Sequence, residues 1–479
     1  MATNAQSYIA KVSSLLNKQL YKKFIILYSI QFYHISYNSN VRSDTFAEET
    51  TSILIVMYGG GGNPPYIHIS NKKNNQAVKF SRFNIVLEKG EYLLLYNTLT
   101  GKIVKIKATA YCIENNDLYE LGFVVEDDED LAQYKYMYYG QMFNFSEVNL
   151  VIATSMSCNL CCPYCFEGNN KRPLTIDSGT IESILKYLRK HKEKPISITW
   201  FGGEPMLAHT AIAQISNSLN AESIPFSSII ITNGTIFPDS FLSKIDSYNI
   251  KSIQITFDGL QSSHDAKRFF KNGDGTFNVI LRNIDRLLSE CNAEIVLKMN
   301  VDSENIEEFH KLKLFLKEKY SEHFKKGRVN ITSNYIRKKT NFKGIENCIN
   351  CVEYFDFELK NGKRMTVPSL IGPCALRGRG YFVIGPDGSI YKCMEHLGED
   401  KHAIGNINNF SFSLKKESAS CFKNMPFDDP VCSKCEILPI CGGGCPNERE
   451  SCSVKEKERP CPAEKYKINE IISKIYENQ

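Results

Sequence analysis

The sequence predicts an α/β protein built around a partial (β/α)6 barrel, TIM-like, with a winged-helix-like module before it and a cysteine-rich domain after it. Three observations carry this expectation. Between residues about 148 and 345, six apolar runs alternate with amphipathic stretches. Ahead of them, short β-type runs are broken by turn residues. Behind them, residues about 370–465 are rich in Gly, Pro and Cys and poor in long periodic runs.

Residues 1–75 suggest no element beyond a flexible loop at GGGGNPP (59–65). FNIVLEKGEYLLLYNTLTGKIVKI (83–106) reads as hairpins, because Glu-Lys-Gly and Leu-Thr-Gly interrupt its β-type runs. A turn at Gly122 precedes the acidic run Glu126–Asp130. Negative charge suits a helix N-terminus, so a helix is expected to follow. VNLVIAT (148–154), ISITWFG (196–202), SSIIITNG (227–234), IKSIQITFDG (250–259), EIVLKMNV (294–301) and RVNITSNY (328–335) read as buried parallel strands. Helices are expected between them, as at 181–193 and 276–290. In such folds the chemistry sits at the strands' C-terminal ends. The cysteine-rich tail is too short to bury much apolar surface and calls for metal staples. A last helix is expected at about 464–476. The boundaries that follow are 1–145, 146–345, a bridge at 346–372, 373–465 and 466–479.

Composition narrows the function. The 479 residues are 42% hydrophobic and 23% charged, as in folded globular proteins. The net charge of +5 (58 Lys and Arg against 53 Asp and Glu) is too mild for a nucleic-acid binder. No run of about 18 apolar residues suggests a membrane span. The opening MATNAQSYIAKVSSLLNKQLYKK lacks a charged segment followed by an apolar one, so no export signal is read and a cytoplasmic protein is expected. The 17 cysteines are clustered: four at 157–166 and seven at 421–461. In a reducing compartment such clusters read as metal ligands or redox groups rather than disulfides.

The loop after the first barrel strand is SMSCNLCCPYCFEG. Cys158, Cys162 and Cys165 stand in a C-x3-C-x2-C spacing. Three thiolates from one short loop suit three irons of a [4Fe–4S] cube and leave the fourth iron open. Cys161 is read as a non-ligand, and a zinc site with one remote ligand is the alternative. The end of the second strand supplies Gly202, Gly203, Glu204 and Pro205. Glycines let backbone approach a ligand closely, and a carboxylate accepts from a cationic amine.

Together these motifs resemble the radical S-adenosylmethionine enzymes, whose cluster loop and GGEP motif they match. The resemblance implies S-adenosylmethionine chelated to the open iron, its amino group held at Gly202–Pro205. Reductive cleavage would then yield a 5′-deoxyadenosyl radical that abstracts hydrogen from an unactivated carbon. It also implies that Tyr164 lies against adenine, that Thr256 lies near the ribose and methionine, and that Arg268 pairs the methionine carboxylate. For Thr256 a strand-end role, and for Arg268 a salt bridge, stand equally open. Asp258-Gly259 reads as turn chemistry and His264 as a structural side chain.

The tail runs C-x13-G-x4-C (Cys374, Gly388, Cys393), then C-x2-C-x5-C-x3-C (Cys432, Cys435, Cys441, Cys445), then Cys461. This order resembles the SPASM extension of the same enzymes, which carries two auxiliary iron–sulfur clusters, here expected to be [4Fe–4S]. The resemblance assigns Cys432, Cys435, Cys441 and Cys461 to the outer cluster, and Cys374, Cys393 and Cys445 to the inner one. Fully ligated relatives have another Cys soon after the first, whereas CALRGRG offers none. An open iron, or a remote ligand from Cys348, Cys351, Cys421 or Cys452, are the alternatives. An open iron suits a substrate thiolate.

Enzymes of this kind mostly modify peptides or proteins. Segment 80–145 is compatible with a RiPP recognition element, which captures a leader peptide as an added strand; a structural cap on the barrel is the other reading. The expected function is hydrogen abstraction from a ribosomally made precursor peptide and closure of an intramolecular cross-link, a thioether first. A carbon–carbon or ether cyclophane, epimerisation and sulfatase-type maturation are alternatives. Sulfatase maturases place Asp directly after the Cys matching Cys393, where this chain has Met394. The implied partners are a leader-bearing precursor peptide and an electron donor such as flavodoxin or ferredoxin, with no nucleic acid and no membrane.

Overall fold

The computed structural model describes residues 78–165, 167–168, 173–336, 351–360, 365–412, 425–451 and 461–477. The glycine loop at 59–65 and Cys348, Cys421 and Cys452 lie outside them. The front of this region is β-rich: β1 (Val78–Phe80), β2 (Asn84–Lys89), β3 (Tyr92–Asn97), β4 (Lys102–Lys107) and β5 (Val124–Glu126). Strands β2, β3 and β4 form an antiparallel sheet in sequence order, while β1 pairs with β5. Helix α1 (Asn116–Glu120) is capped by Asn115, and α2 (Glu129–Phe143) starts inside the acidic run. The expected hairpins and helix are all present.

Six parallel strands follow: β6 (Val148–Ser155), β7 (Ile196–Gly202), β8 (Phe226–Thr232), β9 (Ile250–Phe257), β10 (Glu294–Val301) and β11 (Val329–Tyr335). Helices α3 (Ser178–Lys190), α4 (His209–Ala221), α5 (Gln261–Lys267), α6 (Phe277–Glu290) and α7 (Glu308–Lys319) alternate with them. Helix α3 begins three residues before the expected start, because Asp177 accepts from the Thr180 N–H at 2.7 Å and caps it. Strand alternation sets the two faces. In β10, Ile295, Leu297, Met299 and Val301 are fully buried in the same core as Ile280, Ile284 and Leu287 of α6. Val296, Lys298 and Asn300 therefore face the concave side.

The sheet crosses the boundary expected at 373. Strand β12 (Tyr381–Ile384) pairs parallel with β6, and β13 (Ser389–Tyr391), β14 (Gly405–Asn406) and β15 (Ser411–Phe412) extend it antiparallel. The sheet thus runs through ten strands from β11 to β15. Helix α8 (Cys351–Lys360) occupies the bridge and α9 (Glu464–Glu477) closes the described chain.

The expectation that the tail buries little apolar surface is corrected. Ile85, Leu94 and Tyr96 of the front sheet share one core with Ile437, Ile440, Ile468 and Ile472. Tyr134, Tyr138 and Met142 of α2 share another with Met425, Phe427 and Leu438. The other face of the front sheet, Leu93 and Leu95, packs on Leu118, Phe123 and Val124. The tail is therefore held by apolar clusters shared with the front module. Among the described residues, no helix is long and apolar enough to cross a membrane.

Candidate active site

Strand β6 delivers the loop of thiols at its C-terminal end. Cys158, Cys162 and Cys165 are half-buried, whereas Cys161 is exposed. Burial pushes the Cys162 thiol up to about 11, against the charge of Arg268, and Cys158 and Cys165 both lie within electrostatic reach of it. The loop is pinned on two sides. The Cys161 N–H donates to the Phe269 carbonyl at 3.0 Å, and Asn233 Nδ2 donates to Cys158 Sγ at 3.8 Å and to Asn159 Oδ1 at 2.9 Å.

The glycines make the closest approach in the region. Gly202 has φ +123°, and a Cβ there would stand 2.2 Å from the Ser155 carbonyl; one on Gly203 would stand 2.5 Å from that of Ser157. Only hydrogen fits both places. Glu204 is fully buried, and its carboxylate accepts from Thr232 Oγ1 (2.7 Å), the Met206 N–H (3.0 Å) and the Asn233 N–H (2.8 Å). Burial raises its pKa and these donors oppose the rise. Glu204 therefore ties the ends of β7 and β8 together as well as lining the site, and Pro205 follows as a buried residue whose carbonyl accepts from Thr154 at 3.1 Å.

Tyr164, Asp258 and Arg268 meet in the interior. The Tyr164 hydroxyl donates to Asp258 Oδ2 and accepts from Arg268 Nη1 at 2.8 Å; Arg268 and Asp258 lie 3.9 Å apart. Among the described residues, Asp258 Oδ1 and Arg268 Nε are buried with no hydrogen-bond partner. The reading of Asp258 as turn chemistry is corrected: Gly259 makes the turn at φ +137°, and Asp258 is a buried carboxylate facing the thiol loop. His264 is buried and structural. Its Nδ1 accepts from the Asp258 N–H at 3.3 Å, its Nε2 bonds Thr276 at 2.9 Å, and Thr276 donates to the Arg268 carbonyl at 2.6 Å. Thr256 sits half-buried on the concave face of β9, one residue from the strand's end.

The tail thiols fall into two groups. Cys441 lies within electrostatic reach of Cys432, Cys435 and Cys461, and Cys393 within reach of Cys374 and Cys445. Cys351 is corrected as a candidate for the three-thiol group: its Sγ is 3.5 Å from the Cys461 carbonyl, beside the four-thiol group. Two cations meet the four-thiol group, neither singled out by the sequence. Arg449 donates to Cys432 Sγ at 3.1 Å and pairs Asp429 at 2.9 Å, and Lys465 donates to Cys435 Sγ at 3.3 Å. Each is four residues from a cysteine (Cys445 and Cys461), and that spacing is the only sign of them in the sequence. Asn233 was also missed; it follows the third barrel strand directly, in Thr232-Asn233-Gly234.

All three groups are thiols without disulfides among the described residues. Among those residues, no three His, Cys, Asp or Glu side chains close on one point as a single metal ion requires. Soft, grouped thiols fit an iron–sulfur cluster, with nearby cations to offset its negative charge.

Residues 152–316 match the family model of the radical SAM superfamily. The chain is 25% identical over 361 residues to the cysteine-type anaerobic sulfatase-maturating enzyme of Clostridium perfringens strain 13, covering 66% of this chain and 94% of that protein. It is 20% identical over 368 residues to the radical SAM cyclopropyl synthase TigE of Paramaledivibacter caminithermalis, covering 69% and 75%. Its fold is similar to that of the solved anSMEcpe with bound AdoMet, at a TM-score of 0.52 and 21% identity over 69% of this chain and 97% of that one.

Proposed function

We propose that this chain, a radical S-adenosylmethionine enzyme, is a SPASM-type maturase that acts on a ribosomally made precursor peptide and closes an intramolecular thioether. The observation that carries this reading is the three-thiol loop against the Gly202–Gly203 cradle, with a second three-thiol group in the tail. Cys158, Cys162 and Cys165 would hold the cluster that binds S-adenosylmethionine. Gly202, Gly203, Glu204 and Pro205 would hold its amino group, with Tyr164, Thr256 and Arg268 around it. Loaded with both, the site supplies a 5′-deoxyadenosyl radical able to take hydrogen from an unactivated carbon.

The chain's own residues aim and insulate that chemistry. Tyr164, Asp258 and Arg268 lock the thiol loop to the ends of β9 and α5. Met394 packs with Met156, Phe201 and Val151, so the segment bearing Cys393 closes over the β6–β7 side and excludes water there. Cys374, Cys393 and Cys445 would hold the inner auxiliary cluster, leaving one iron for a substrate thiolate. Cys432, Cys435, Cys441 and Cys461 would hold the outer one, a route for the electron left after ring closure.

Sulfatase-type maturation is the second reading, favoured by the similarity to the Clostridium enzyme and disfavoured by Met394 at the place of that family's Asp. The test is direct. Iron-loaded, dithionite-reduced protein with S-adenosylmethionine is expected to release 5′-deoxyadenosine, and the Cys158→Ala variant is not. A precursor peptide co-expressed with the enzyme is expected to lose two hydrogens per site with its Cys alkylation blocked. A precursor of unchanged mass, or a Ser or Cys turned to aldehyde in a sulfatase peptide, would sink the thioether reading.

A further inference from the structure

Helix α2 carries two buried phenols one turn apart, and their hydroxyls differ. The Tyr138 hydroxyl accepts from Arg377 Nη1 at 2.5 Å, whereas the Tyr134 hydroxyl has no hydrogen-bond partner among the described residues. Tyr134 is only 1% exposed. Burial raises its pKa well above the usual phenol range, so the oxygen keeps its proton and is a donor. A buried donor left unmatched is costly, and native interiors match nearly all of them. A bridging water needs two or more polar partners, but the cluster around Tyr134 is built largely of Phe83, Met142, Phe427 and Leu438.

The four-thiol group of the tail lies beside this hydroxyl. Cys441 and Cys432 are both within its electrostatic reach, and Cys432 and Cys435 pack on the apolar cluster that contains Tyr134. Arg449 comes to the same place from the tail. Its Nη1 donates to Cys432 Sγ at 3.1 Å, and its Nε, like the Tyr134 hydroxyl, is buried with no hydrogen-bond partner among the described residues. Lys465 donates to Cys435 Sγ at 3.3 Å. The three-thiol group meets carboxylates instead: Glu395 is within reach of Cys393, and Glu448 and Glu395 are within reach of Cys445. Donors with protons to spare are thus gathered at one group of thiols and not at the other. An iron–sulfur cluster brings sulfide as well as thiolate sulfur, and hydrogen bonds to those sulfurs set its potential.

Resting on the assignment of Cys432, Cys435, Cys441 and Cys461 to the outer auxiliary cluster, we propose that Tyr134 donates a hydrogen bond to a sulfur of that cluster. The donor favours the reduced, more negative state. Helix α2 of the front module therefore holds the outer cluster's potential up, besides packing on the tail.

Redox titration of the iron-loaded full-length protein, followed by electron paramagnetic resonance, tests this. Tyr134→Phe keeps the ring and removes only the hydroxyl. It is expected to move one midpoint to more negative potential, by about tenfold in the oxidised-to-reduced ratio or about 59 mV for one electron, with the other transitions unmoved. A 3-fluorotyrosine placed at position 134 is a more acidic, stronger donor and is expected to move the same midpoint the other way. Tyr96→Phe is the control. Tyr96 is fully buried in a cluster on which Cys435 and Cys441 pack, but its hydroxyl is already bonded to the Pro368 carbonyl. Its loss is expected to lower Tm and leave the midpoint in place. Should Tyr134→Phe fail to retain iron in the tail, the fluorotyrosine protein decides alone. A midpoint that does not move, or one that Tyr96→Phe moves equally, overturns the proposal. Failure of the underlying assignment is distinct: Cys432→Ala would then leave the iron content and every midpoint as in the wild type.

Discussion

Tyr164 sits where a phenol does more than fill space, since its hydroxyl joins a buried carboxylate to a buried guanidinium. Tyr164→Phe leaves both groups short of a partner and is expected to cost about 1–3 kcal/mol, read as a lower Tm in the iron-loaded protein. His264 gives a pH prediction. Burial, assisted by the Arg268 charge, lowers its pKa to about 3, below the ordinary value of 6.5. A depressed histidine contributes fully above the unfolded value, and the contribution erodes as pH falls from 6.5 toward 3, where the unfolded chain binds the extra proton. His264→Gln is therefore expected to show a flatter acid limb in stability against pH; an unchanged limb would remove His264 from the account. Arg449 gives a redox prediction. A cation hydrogen-bonded to a ligand sulfur favours the more negative, reduced cluster. Arg449→Gln is expected to move one auxiliary midpoint to more negative potential in an electron-paramagnetic-resonance titration, with the cluster at Cys158 unmoved. Tyr164 and His264 were individually visible in the sequence and Arg449 was not, and the partners of all three come from the fold: Tyr164 and Asp258 are 94 positions apart.

At the scale of elements, the strands were legible almost to the residue, because period-two burial and apolar runs are local properties. Helix α3 is shifted by three residues at both ends: Asp177, a capping side chain, moved the start, and the helix ends at Lys190 rather than 193. The junction of β6 and β7 is governed by close approach. Gly202→Ala adds a Cβ 2.2 Å from a backbone oxygen at a positive φ, so the strand ends must part. The expected result is reduced iron retention at the first loop with the tail thiols still loaded, measured by iron content and spectroscopy. Helix α9 is an equally concrete case. Ile472 is fully buried between the front sheet and the tail, and Ile472→Ala is expected to cost about 2–5 kcal/mol. Because its core is shared, hydrogen exchange should rise in β2–β3 and at 437–440 together; a rise confined to α9 would show that the front module and tail are not coupled there.

At the scale of the whole molecule, one sheet links the barrel to the tail, while apolar clusters link the tail to the front module. Stripping iron with a chelator is therefore expected to loosen 425–445 and, through Tyr96, Tyr134 and Phe427, the front sheet. Strands β7–β10 should stay protected in hydrogen exchange, since most of their core is made of barrel residues and none of it comes from 425–445. The tail's packing was not legible because its apolar runs are short and interrupted by Gly, Pro and Cys. Much of their burial comes from partners hundreds of positions away, as Phe427 packs on Tyr138 at 5.5 Å between rings.

The sequence by itself determined the parallel α/β core, the loop of three thiols and the glycine cradle one strand later. Each of these is written in short-range spacing, which a chain enforces through its own periodicity and stereochemistry. Only the tertiary structure decided that Cys351 stands with Cys461, that Arg449 and Lys465 reach the thiols of Cys432 and Cys435, and that the tail covers one half of the barrel face. Those outcomes depend on how distant segments close on one another, and burial, charge and hydrogen bonding among them take their values only once that closure has happened.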